Sequence, residues 1–88
     1  MQRILRFTAD WCGPCKSLAA ALEDIQVKWK DAMPPVEVIN IDENPELATE
    51  YGIRGVPTLV MLEENIEIRR QVGALPQSKL QAWIRGDV

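Results

Sequence analysis

The chain has 88 residues, of which 47% are apolar, and its 13 acidic against 10 basic residues leave a formal net charge of −3. That length fits one small domain with one core and a modest stability margin, here expected to span 1–88. The charge gives no basic footprint for nucleic acid, and no apolar run reaches the length of a membrane span.

Residues 3–9 read as a strand. A helix is expected from about 13 to 30, because Leu18, Leu22, Ile25 and Trp29 recur at steps of three and four. Pro34-Pro35 interrupts the chain, and 36–41 is β-branched enough for a second strand. Asp42-Glu43-Asn44-Pro45 opens a short helix, with Pro45 in its first turn, that runs to about Tyr51-Gly52. Residues 56–62 read as a third strand. Glu63-Glu64-Asn65 forms a tight turn, and 66–72 a fourth strand. A last helix begins near Pro76 and buries Leu80, Trp83 and Ile84. Trp29 and Trp83 have the spacing of core residues. Glu63, Glu64 and Glu67 read as a solvated hairpin. The order is β-α-β-α-β-β-α. Its first β-α-β unit requires parallel strands and a right-handed crossover.

The chemistry concentrates at the start of the long helix. Cys12 and Cys15 are the only cysteines, in Trp11-Cys12-Gly13-Pro14-Cys15. Cys15 lies on the apolar face of the helix, and Cys12 precedes it at the helix mouth. The first N–H groups of a helix lack internal partners and carry positive partial charge, so a Cys12 thiolate there is stabilised below the ~8.5 of a free thiol. Pro14 in the first turn loses only an N–H that has no helical partner. Gly13 leaves room at the attacking sulfur, and Trp11 can cover the sulfurs or meet a partner. Zinc is a poor fit, because a structural site takes four Cys or His ligands and this chain has two Cys and no His. A structural staple is a weak reason for the spacing, since so short a loop is worth roughly 2 kcal/mol before strain. Thiol–disulfide exchange is the favoured reading of the pair. Met1 through Arg6 lacks the apolar stretch of a secretory signal, so a reducing, cytoplasmic setting is expected, where such a pair is catalytic more often than structural.

Four segments in order carry a family resemblance: Trp11-Cys12-Gly13-Pro14-Cys15-Lys16, Asn40-Ile41-Asp42-Glu43-Asn44-Pro45, Tyr51-Gly52-Ile53-Arg54-Gly55-Val56-Pro57-Thr58, and Val72-Gly73-Ala74-Leu75. Together they resemble the thioredoxin family. The resemblance implies a thioredoxin-like α/β fold without the family's usual first strand and helix, and a four-stranded mixed sheet of order 2-1-3-4, as in glutaredoxins. It implies a protein-disulfide reductase with Cys12 as nucleophile and Cys15 as resolving thiol. A cis Val56–Pro57 bond beside the pair and a substrate-contacting backbone around Gly73 are also implied. The expected docking rim is Trp11, Gly13, Pro14, Val56, Pro57, Gly73 and Ala74. Implied too is a cytoplasmic, monomeric electron carrier in cell redox homeostasis, recharged by thioredoxin reductase and acting on proteins such as ribonucleotide reductase. No cofactor or metal is expected, and no nucleotide motif is present to take electrons from NADPH directly. The alternatives are a glutaredoxin-like protein recharged by glutathione and a non-catalytic adaptor that uses the rim only for binding.

The chain departs from the family's pattern at three residue positions. Arg6 stands where the family has a buried aspartate, Val38 where it has a lysine, and Thr8 where it commonly has a tryptophan. Ile4, Arg6 and Thr8 share one face of the first strand. Arg6 either points inward to the thiols or snorkels outward to solvent or a surface carboxylate, the outward course being favoured because an unpaired buried cation is costly.

Overall fold

The computed structural model describes residues 1–87; Val88, the last residue of the expected domain, lies outside them. The elements are β1 (Gln2–Thr8), α1 (Gly13–Trp29), β2 (Val36–Asn40), α2 (Pro45–Glu50), β3 (Thr58–Glu63), β4 (Ile66–Val72) and α3 (Gln77–Arg85). The sheet order β2-β1-β3-β4 is the expected one. β1 runs parallel to β2, with Arg6 opposite Val38, and antiparallel to β3. β3 and β4 form the hairpin.

Period-two alternation divides β1 between two cores. Ile4 joins Leu18, Leu22 and Ile25 of α1, Leu59 and Met61 of β3, and Leu80, Trp83 and Ile84 of α3. Leu5 and Phe7 point the other way, to Ile39, Val60 and Leu62, under Leu47 and Tyr51. β3 is buried from Thr58 to Leu62 because both its faces are covered. A strand covered on both faces reads as a continuous apolar run, which is why 58–62 shows no polar alternation.

Element ends moved for identifiable reasons. α1 stops at Trp29 because Lys30 adopts a φ of 48°, and a 3-10 turn over Lys30–Ala32 follows. β3 begins at Thr58, two residues later than expected, since Pro57 has no N–H for the ladder. β4 carries a bulge at Ile68: Met61 pairs with Arg69, and Leu62 with Glu67. The bulge twists an edge strand whose Ile66 and Val72 are exposed, and so discourages edge-to-edge pairing. On the other edge, Glu37 of β2 pairs with Arg3 at 3.0 Å.

Two tryptophans read as core residues have different fates. Trp83 is buried. Trp29 is only half-buried at the margin of the first core, with the Arg85 guanidinium 4.7 Å from its ring centroid. It is the last residue of α1, one turn beyond the fully buried Ile25. The hairpin acids are less free than expected. Glu67 accepts two 2.7 Å hydrogen bonds from Arg70, which hold its carboxyl below the usual range. Arg69 reaches the end of α3 and donates to the carbonyls of Trp83 and Ile84, both at 2.7 Å. A cation there complements the helix C-terminus, adding a second donor to the Trp83 carbonyl, which also accepts the Gly86 N–H at 3.1 Å.

Candidate functional site

β1 and β2 end side by side, and the pair of cysteines sits just beyond them. The Cys12 N–H donates to the Ala9 carbonyl at 3.2 Å, and the Ile41 N–H to Thr8 at 2.9 Å. Cys12 is the N-cap of α1, in extended conformation, with Pro14 in the first turn. Its Sγ accepts the Cys15 N–H at 3.1 Å. Cys12 and Cys15 are joined as a disulfide, with Cα atoms 5.3 Å apart. They pack with Ala9, Ile41 and Val56 in a small apolar cluster.

Burial barely separates the two sulfur residues, at 4% exposed for Cys12 and 1% for Cys15. Their hydrogen bonding does separate them. Cys12 presents its sulfur to the open amides of the helix start, whereas Cys15 is one of the buried residues along α1. When the disulfide is reduced, charge is therefore stabilised at Cys12 and opposed at Cys15, whose apolar surroundings favour the neutral thiol.

The residues expected to form the rim come from three segments of the chain, with unequal exposure. Trp11 is 69% exposed, and Gly13, Pro14 and Ala74 are also exposed. Val56 and Gly73 are half-buried. The Val56–Pro57 bond is cis, as the resemblance implied. Pro57 itself is fully buried, so it shapes the rim from beneath. Gly73 has a φ of +89°, a left-handed conformation that favours glycine. Its N–H donates to the Pro57 carbonyl at 2.8 Å, so that donor is already used internally. A Cβ built on Gly13 meets no atom within 4 Å. The space at Gly13 is thus open on the outer side of the pair, where an incoming partner would lie.

Sequence reasoning gave no role to Asn40 and Asp42, although both lie in a quoted motif. Asn40 Oδ1 accepts the N–H groups of Asp42 and Glu43 at 2.9 and 3.3 Å, while its amide donates to Asp10 at 3.2 Å. This turn sets Asp42 beneath Trp11, whose Nε1 donates to Asp42 Oδ2 at 2.9 Å. The signal was present as an Asn-x-Asp turn pattern, but its partner lies 31 residues away. Asp42→Ala should free the indole and raise KM for a protein disulfide about two- to fivefold with little change in kcat, as expected for loss of a hydrogen bond worth about 1 kcal/mol. Steady-state kinetics check this; an unchanged KM would show that the indole needs no tether.

Arg6 stands on the α1 side of the sheet. It faces α1, is half-buried, and has no hydrogen bond or ion pair among the described residues. Burial pushes its pKa below the usual arginine value, with Glu23 acting in the opposite direction. Its side chain borders two open clefts, one shared with Cys15 and Lys16 and the other with Glu23 and Val38, and among the described residues it makes no direct ion pair with a surface carboxylate.

Comparison with known proteins adds to this geometry. The family model described as Thioredoxin matches residues 1–86. A thioredoxin of Rhodospirillum rubrum is 43% identical over 82 residues, covering 93% of this chain and 78% of that protein. A thioredoxin of Acidithiobacillus ferridurans is 41% identical, covering 92% and 74%. A solved mutant thioredoxin from Halobacterium salinarum NRC-1 superposes with a TM-score of 0.85 at 36% identity, covering 97% of this chain and 73% of that one.

Proposed function

The chain belongs to the thioredoxin family and is a thioredoxin-type protein dithiol–disulfide oxidoreductase, and from that premise we propose how its two thiols divide the reaction. The Cys12 thiolate attacks one sulfur of a substrate disulfide and forms a mixed disulfide. Cys15 then attacks Cys12, which releases the reduced substrate and restores the Cys12–Cys15 bond. The observation that carries this division is the N-cap position of Cys12, whose sulfur accepts the Cys15 N–H at 3.1 Å.

Trp11, Gly13, Pro14, Val56, Gly73 and Ala74 form the surface on which the substrate lies, with Pro57 as its buried support. The substrates are disulfide-containing proteins, ribonucleotide reductase being one of the kind the family serves. Thioredoxin reductase supplies the electrons, and residues 1–88 act as one monomeric domain in the cytoplasm, as an electron carrier in redox homeostasis. Among the described residues, no helix is long and apolar enough to cross a membrane.

A coupled assay tests the electron source. NADPH with thioredoxin reductase should sustain reduction of a protein disulfide by this chain. NADPH with glutathione and glutathione reductase should give at most about a tenth of that rate, since an unrelated thiol pool lacks the docking contacts that orient the exchange. A faster glutathione arm would replace the proposed donor.

A further inference from the structure

On the α1 side of the disulfide lies an open cleft of about 420 Å³, whose lining includes Arg6, Thr8, Asp10, Cys15, Lys16 and Ala19. It gives Cys15, otherwise enclosed, a boundary shared with a cation of the sheet. We propose that Arg6 is a positioning residue for the second half of the reaction, its guanidinium stabilising the Cys15 thiolate across this cleft.

The inference rests on the assignment of Cys15 as the resolving thiol. In that step the Cys15 Sγ–H gives its proton to solvent. The thiolate attacks Cys12 Sγ, the Cys12–Cys15 bond forms, and the bond from Cys12 to the substrate sulfur breaks. The bonding electron pair leaves on the substrate sulfur, which takes up a proton. The two substrate sulfurs are reduced by two electrons, and the two cysteines are oxidised by two.

The difficult moment is the loss of the Cys15 proton. Cys15 is 1% exposed, and burial in apolar surroundings raises a thiol's pKa. An opposite charge in a partly desolvated cleft reverses part of that penalty, and arginine stays charged at any working pH. Arg6 is half-buried and without an ion pair among the described residues, so its charge is not neutralised by contact. Other charges act on the same space. Asp10, before α1, opposes Arg6 at the mouth of the cleft, although its carboxylate also accepts from Asn40. Lys16 of α1 adds to Arg6. Glu23 of α1 draws on Arg6 from the far side, while β2 contributes only Val36 and Val38.

The test is ultraviolet titration of the single thiolate in a Cys12→Ser background. Arg6→Gln should raise the Cys15 pKa by about one unit, a roughly tenfold fall in thiolate population at neutral pH. Arg6→Lys should keep most of the effect. Glu23→Gln should shift the Cys15 pKa downward, and it tests the same charge without altering Arg6 should Arg6→Gln fail to fold. In a Cys15→Ser background, Arg6→Gln should move Cys12 less than it moves Cys15. An unmoved Cys15 in folded Arg6→Gln, an equal rise in Arg6→Lys, an upward or absent shift in Glu23→Gln, or a larger shift at Cys12 each overturns the proposal. These titrations do not depend on which thiol attacks substrate; failure of Cys15→Ser to trap a mixed disulfide would instead overturn the division of roles.

Discussion

Cys12→Ser should abolish protein-disulfide reduction, with turnover falling roughly a thousandfold or more, as for loss of a covalent nucleophile. Cys15→Ser should fail differently. Cys12 still attacks, but no internal thiol releases the substrate, so a mixed disulfide through Cys12 accumulates. Non-reducing electrophoresis and peptide mapping would show the trapped species. The asymmetry follows from position: Cys12 caps the helix with its sulfur on an open amide, while Cys15 sits within the buried face of α1. The reduced protein should accordingly alkylate faster at Cys12 than at Cys15 near neutral pH. Accumulation of an adduct on Cys15 in the Cys12→Ser protein, at a rate matching turnover, would reverse the assignment.

Phe7→Ala should cost about 3–5 kcal/mol of stability, the usual range for truncating a buried aromatic. Phe7 is 0% exposed and packs with Leu5, Ile39, Val60 and Leu62. Its ring centroid is 5.7 Å from that of Tyr51. The covering layer on that face is thin, since α2 has only six residues. Collapse around the missing ring would pull on the β1–β2 pair that holds the disulfide. Domains of this size sit toward the lower end of roughly 5–15 kcal/mol, so the variant should be partly unfolded at physiological temperature. Urea unfolding followed by circular dichroism measures the change. A loss below about 1 kcal/mol would show that this second core does not hold the sheet together.

Much of the architecture was legible because its signals are local. Leu18, Leu22 and Ile25 share a face through helical periodicity alone, and the structure buries all three. The order of the sheet followed from the short β3–β4 turn, the β-α-β unit and the family resemblance. Trp29 kept the right period but lay at a helix end, and periodicity does not say how completely a helix end is covered. The start of β3 was placed too early because β-branched composition at Val56 outweighed the missing donor of Pro57. Arg6 was the least legible residue. Alternation put it on the α1 face, but which groups share that face, Cys15 and Lys16 in one cleft and Glu23 in the other, depended on the seating of α1.

What the sequence by itself determined is the redox couple and its local setting. Two cysteines three positions apart, with a proline between them and an apolar helical face beyond, place one sulfur at the helix start and one inside it, whatever surrounds them. The tertiary structure decided what faces that pair. Asp42 beneath Trp11, Val56 against the disulfide, Gly73 tied to Pro57, and Arg6 in the cleft beside Cys15 are all brought in from elsewhere in the chain. Residue type and local period constrain φ, ψ and which face a side chain takes. Neighbours across the site depend on strand register and on the seating of α1 over the sheet, which are fixed only when the two cores close together.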